Sequence, residues 1–157
     1  MQISTFLIDS ETFGLPTLLV EELFRPLPVT RVPSSDDRLE GITNIRGKTA
    51  VVINMRKCLG IETATKQIAN EMILMETDGG LVQEAQELGL KAFDEPVVLR
   101  VDESTSIYNI NPDEIQPAPA HVNQNFVEGV ARAGERYITV ISVTRLIHEI
   151  LNSQVEV

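Results

Sequence analysis

The sequence lacks tryptophan, holds a single cysteine and is poor in basic residues. Thirteen Lys and Arg stand against 23 Asp and Glu, giving a net charge of −10 and a sequence pI near 4.6. Such a surface repels phosphate backbones and anionic headgroups, so nucleic-acid binding and charge-driven membrane attachment are set aside. Cys58 has no second cysteine to pair with, which excludes an internal disulfide. No apolar run approaches the roughly 20 residues that span a bilayer. Met1-Gln2-Ile3-Ser4 shows neither the basic region nor the apolar stretch of a signal peptide. A cytoplasmic, soluble protein is expected, with no membrane insertion. Aromatic residues make up only 4% of the chain while hydrophobic residues reach 43%, so the core must rely on Ile, Val and Leu, which favour strands. A length of 157 residues suits one domain, or two small lobes sharing an interface.

Catalytic and metal-binding patterns are also missing. His121 lies in a proline-rich connection and His148 on the polar side of a predicted helix, neither with a Cys-x-x-Cys or His-x-x-x-His partner. Both read as surface histidines. Cys58, on a short apolar turn, reads as a buried and inert thiol. No Gly-x-x-x-x-Gly-Lys-Ser/Thr loop occurs, so Asp78-Gly79-Gly80 and Gly89 are turns. Asp9, Glu11, Asp36, Asp37, Asp94, Glu95, Asp102 and Glu103 lack the alternating spacing of a cation loop and read as solvated loop acids. No catalytic residue, metal or cofactor is expected.

What is present is a series of short apolar runs punctuated by Gly and Pro. Strands are expected at 3–9, 69–77, 97–101 and 106–110, with Pro16 opening a short turn and Pro26, Pro28 and Pro33 enforcing irregular or edge structure. Asp36 to Leu39 suits one helical turn, and Arg56 to Gly60 another, with Gly60 as its C-cap. Leu81, Ala85 and Leu88 recur at helical intervals before Pro96. Leu146, Ile147, Ile150 and Leu151 form the apolar stripe of a closing helix.

Two segments read as hairpins. In the first, Glu40 to Arg56, alternation places Ile42, Asn44 and Arg46 on one face and Thr43 and Ile45 on the other. Gly47-Lys48 fits a two-residue Gly-X turn, which presents Arg46 at the hairpin's end. The second runs from Val127 to Val143 across Gly134. Val32-Pro33 before Glu40-Gly41-Ile42 is echoed by Ile115-Gln116-Pro117 before Glu128-Gly129-Val130, and each continues into a Gly-bearing turn, a strand and basic residues. Two equivalent strand–turn–strand–helix units follow, with Gly41 and Gly129 as structural glycines that permit a bend or close backbone approach. Many short strands with this punctuation support two small β lobes.

Gly41-Ile42-Thr43-Asn44-Ile45-Arg46-Gly47, a second apolar strand and Met55-Arg56 closely resemble the signature hairpin of CheW-type chemotaxis coupling proteins. Asn111 to Pro119, Phe126 to Val130 and Arg136 to Val143 resemble the second half of that family in order and spacing. The resemblance implies a mainly β domain over 1–157: two SH3-like five-stranded barrels with a groove between them, short helices and a C-terminal helix. The lobes are expected at roughly 12–68 and 69–143, with terminal elements crossing between them. It further implies a non-enzymatic adaptor that joins chemoreceptor cytoplasmic signalling tips to the regulatory domain of a CheA-type histidine kinase, recruited to membrane-associated receptor arrays. The matching receptor-contact positions are Arg46, with Asn44 as neighbour, and Val20 and Glu22. Arg46 can instead pair with a loop acid and serve its own lobe, Asn44 can fix the turn, and Glu22 can be a solvated carboxylate. Alternatives to the adaptor are a CheV-like or kinase regulatory-domain fragment, or a small ligand-binding protein or enzyme using the interlobe groove. The chain departs from the family at 81–94, which reads as an insertion. It departs again at Val101-Asp102-Glu103-Ser104, where the family carries Val-Asp-Gly-Val. These departures mark either altered partner choice or a loop that tolerates insertion.

Overall fold

The computed structural model describes residues 1–33, 36–61, 71–118 and 120–151. Ten strands form two five-stranded sheets: β1 (Gln2–Ile8), β2 (Glu11–Pro16), β3 (Val20–Phe24), β4 (Leu39–Ile45), β5 (Lys48–Asn54), β6 (Glu71–Met75), β7 (Val97–Val101), β8 (Glu103–Asn109), β9 (Val127–Ala133) and β10 (Arg136–Ile141). One sheet has the order β3-β6-β7-β5-β4 and the other β8-β1-β2-β10-β9. Each closes on itself through the chain that follows its first edge strand. Beyond β3, Thr30 and Ile42 of β4 exchange both N–H···O bonds at 2.8 and 2.9 Å; beyond β8, Gln116 and Val130 of β9 do the same at 2.8 and 2.7 Å. Closure removes the free edges that would otherwise recruit another chain.

The two lobes share one plan. In each, a single strand is followed by a hairpin and a capped helical turn, and a further antiparallel pair meets the hairpin through a parallel pairing, β5 with β7 and β10 with β2. The central lobe takes all five strands in sequence, β3 to β7. The terminal lobe takes β8 to β10 and then borrows the amino-terminal hairpin β1–β2 for the place that β6–β7 fills in the other. The expected division at 12–68 and 69–143 is therefore corrected: β2 leaves the first set, and β6 and β7 join it. Local patterning reveals hairpins, but parallel pairs between distant strands leave no local signature. The expected repeat of strand–turn–strand–helix units is present, with α1 (Met55–Leu59) after β5 and α3 (Val143–Leu146) after β10. The Asn54 side chain caps α1 by accepting the Lys57 N–H at 3.2 Å, and Ser142 caps α3 by accepting the Arg145 N–H at 3.3 Å. Gly60 ends α1 with φ 67, as its position predicts.

Each barrel has a small apolar interior, Ile45, Val52, Met72 and Val98 among the residues of one, Ile3, Ile138 and Val140 among those of the other. The largest cluster lies between them, where Phe6 and Phe13 stack with centroids 6.0 Å apart and Ile53, Leu99, Phe93, Phe126 and Leu146 complete the packing. The lobe boundary is thus filled by buried side chains from both barrels.

Several local expectations change. Asp36 to Leu39 is a tight turn rather than a helical one: Leu39 N–H donates to Asp36 O at 3.2 Å, and the Asp36 side chain accepts the Arg38 N–H at 3.0 Å, an alternative that Asp offers the backbone. In 81–94 the helix α2 is confined to Gln83–Glu87, with Ala85 buried but Leu88, expected on its apolar face, 51% exposed. The segment is pinned instead by Phe93, fully buried, and by a parallel bridge between Thr77 and Phe93. The closing helix buries Leu146 and Ile150 as expected, its last turn widening to a π-helix over Ile147–Leu151.

Candidate functional site

The β4–β5 hairpin carries the signature residues, and its turn differs from the one expected. Ile45 pairs with Lys48, so the turn residues are Arg46 and Gly47, both at positive φ, 53 and 79. The correction moves Arg46 out of the strand and into a left-handed turn position. Strand alternation before it is as predicted: Thr43 and Ile45 are buried, Ile42 is half-buried and Asn44 is exposed. The Asn44 Oδ1 accepts the Gly47 N–H at 3.0 Å, so Asn44 holds the turn that presents Arg46.

From this position Arg46 reaches across the open end of the central barrel to β3. Its guanidinium donates to the Glu22 carboxylate and lies 5.7 Å from the centroid of Phe24. Phe24 in turn packs against the apolar interior of the barrel. The structure thus brings Asn44, Arg46 and Glu22 together. Val20 is not part of that group; it is half-buried, packs against the central cluster and is separated from Glu22 by a β-bulge. Phe24 belongs to the site and was missed, because one aromatic at a strand end looks like any core residue.

Magnitudes decide how the Arg46–Glu22 pair should be read. The Arg46 side chain is 63% exposed and that of Glu22 38%, and exposed ion pairs contribute only about 0.2–1 kcal/mol. A left-handed conformation costs a side chain other than Gly, Asn or Asp about 1–2 kcal/mol. The pair at best offsets the strain of the position. Strain of this kind at an exposed turn points to function rather than to stability.

Gly41 and Gly129 are structural, as expected, for the same reason in both lobes. A Cβ on Gly41 would stand 2.1 Å from Thr30 O, and one on Gly129 2.3 Å from Gln116 O. These are the carbonyls that close the barrels. Gly47 has open space around it, so its role is the positive φ of the turn.

Two acids expected to be solvated are instead paired. Asp102, the single residue between β7 and β8, is buried and receives Arg56 through both oxygens, with Arg56 Nε at 2.7 Å from Oδ1. Its Oδ2 also accepts the Asp9 N–H at 2.9 Å from the β1–β2 turn. One carboxylate therefore ties α1 of the central lobe to the terminal lobe at the crossover. Asp36 receives Arg38 Nε at 2.8 Å, and the same guanidinium lies 5.3 Å from the Phe126 centroid. The hydrogen-bonded Arg38 holds the Asp36 carboxyl below its usual pKa. An acid directly after an apolar strand, with an arginine near the start of an earlier helical turn, was the available signal for Asp102.

The remaining chemistry-bearing side chains stand apart. Cys58 is fully buried, and burial raises its thiol pKa to about 12, so it is the inert thiol anticipated. His121 is exposed and contacts Glu11, while His148 is exposed on the closing helix. Among the described residues no helix is long and apolar enough to cross a membrane.

Two closed five-stranded barrels sharing a filled boundary, with a strained arginine at one hairpin tip, define a double-barrel β domain. The CheW-like domain family model matches residues 2–151, and the chain belongs to that family. It is 24% identical over 149 residues to the chemotaxis protein CheW of Helicobacter pylori, a match covering 94% of this chain and 81% of that protein. The chemotaxis protein CheW of Treponema pallidum is 24% identical over 148 residues, covering 92% and 81%. The crystal structure of the scaffolding protein TtCheW from Thermoanaerobacter tengcongensis superposes with a TM-score of 0.70 at 27% identity, covering 90% of this chain and 88% of that one.

Proposed function

We propose that the chain is a non-enzymatic chemotaxis adaptor that couples chemoreceptor signalling tips to the regulatory domain of a CheA-type histidine kinase, in the cytoplasm and at receptor arrays. The observation that supports this most is Arg46: an exposed guanidinium at a strained turn, positioned by Asn44, Glu22 and Phe24 and too weakly paired for stability to require it. A planar donor fork of this kind is a frequent anchor at protein interfaces. The receptor tip meets this surface, with Arg46, Asn44 and Glu22 in contact and Val20 supporting β3 from behind. Carrying one partner on each of two surfaces of a single body raises the effective concentration of receptor and kinase for each other. The filled lobe boundary favours a rigid connector over a ligand-binding groove.

Co-purification with a receptor signalling-tip fragment and a CheA-type kinase tests the reading. The wild type retains both, and Arg46→Ala loses the receptor while retaining the kinase. Retention of neither partner by the wild type overturns the adaptor role.

A further inference from the structure

Beside Arg46 lies a pocket of about 230 Å³ whose lining is split by charge. The β4–β5 hairpin supplies Arg46 and Lys48, β3 supplies Glu21, and the residue after β6 supplies Glu76, around the apolar Leu74 and Met75. Glu76 is anchored through its backbone, and its carboxylate has room beside a glycine. Its N–H donates to Leu19 O at 2.8 Å. Its carboxylate occupies the place of a side chain at position 80, since a Cβ on Gly80 would stand 2.6 Å from Glu76 Oε2. Neither Glu21 nor Glu76 has an ion-pair partner among the described residues. Burial, and then the charge of Glu21, raise the pKa of Glu76 above the usual carboxylate value. Residues 76–95, which include the segment read as an insertion, carry six acids against one base, Lys91.

We infer that this pocket selects a bipolar protein partner, one that offers a carboxylate to Arg46 and Lys48 and a lysine or arginine to Glu21 and Glu76. This rests on the reading of Arg46 as a partner contact and adds what the partner must carry. Two carboxylates that line one pocket, neither of them held in an ion pair, favour a partner that brings a cation and penalise a partner that does not. The pocket is continuous with the Arg46 surface, and Gly80, lacking a side chain, leaves room for the Glu76 carboxylate beside it.

The test is a fluorescence titration of a labelled receptor signalling-tip fragment from the same genome. The proteins are the wild type, Arg46→Ala, the double variant Glu21→Gln/Glu76→Gln, and a control matched in charge, Asp113→Asn/Glu114→Gln, on the terminal lobe. Neutralising these two carboxylates leaves the fold intact, which melting midpoints at or above wild type verify. The Glu21/Glu76 variant is expected to bind about tenfold more weakly and with a shallower salt dependence, as for loss of one close charge pair, while the control binds like wild type. Unchanged or tighter binding by the Glu21/Glu76 variant, or an equal loss in the control, overturns the bipolar pocket. Binding that survives Arg46→Ala overturns the parent reading instead.

Discussion

The two hairpins β4–β5 and β9–β10 occupy equivalent places in their barrels, yet their turns differ in where glycine stands. In β9–β10 the turn is Gly134-Glu135, with Gly134 at φ 64 taking the first position. In β4–β5 the first position belongs to Arg46 and glycine takes the second. The β9–β10 turn has positive φ only at Gly134, which suits glycine, whereas the β4–β5 turn has positive φ at both centres and would prefer Asn-Gly or Gly-Gly, so the terminal lobe puts an easy residue first where the central lobe puts a strained one. Everything that closes the barrels is matched between lobes, from the helix caps to the close approach at Gly41 and Gly129. Between the two turns the unmatched residue is the exposed one, and the proposed receptor contact falls on it.

The widest break to this comparison comes at the crossover, where the lobes have no counterpart to each other. Asp102→Asn leaves Arg56 buried, its side chain 14% exposed, with the charge that balanced it removed. Removing one member of a buried pair costs about 3–5 kcal/mol. Urea denaturation should show a loss of that size in a single transition, because the central cluster joins both barrels. Two resolved transitions would show instead that the carboxylate alone holds the lobes together.

Gly41→Ala and Gly129→Ala ask whether the barrels are energetically as well as geometrically alike. Each new methyl meets the carbonyl that closes its barrel, and overpacking of this kind costs about 1–3 kcal/mol, with the φ of 153 at both sites adding strain. Both losses should fall in that range by denaturant midpoint. A loss confined to one variant breaks the equivalence of the lobes.

What could be read in advance divides along the same line. The hairpins, the Gly60 cap, the closing helix and the alternation of Thr43 and Asn44 are all periodic or punctuated locally, and local signals survive folding. The exchange of β1–β2 into the terminal lobe depends on parallel pairing between β10 and β2 across more than a hundred residues, which no window of sequence contains. At the candidate site the family resemblance named Arg46, Asn44, Glu22 and Val20, and the structure brings the first three together. Phe24 and the Arg56–Asp102 pair were not, because their roles arise only when strands distant in sequence come together. The turn itself was misplaced by one residue: Gly-X and X-Gly turns share a glycine, and the Asn44 side chain decides between them by accepting the Gly47 N–H.

The smallest effect on stability is also the sharpest test of the comparison. Arg46→Asn converts the turn to Asn-Gly, relieving a left-handed arginine while removing an exposed pair to Glu22. The strain relieved, about 1–2 kcal/mol, matches what is lost, about 0.2–1 kcal/mol for the pair and about 0.5–1 kcal/mol for the guanidinium over Phe24. The variant should therefore melt close to the wild-type midpoint, whereas its binding to the receptor tip should fall at least as far as that of Arg46→Ala. A variant with lowered stability would place Arg46 among the residues that hold the barrel end. Raised stability with lost binding would identify a position where the chain gives up an easier first residue, as its other lobe has in Gly134, to keep a guanidinium facing its partner.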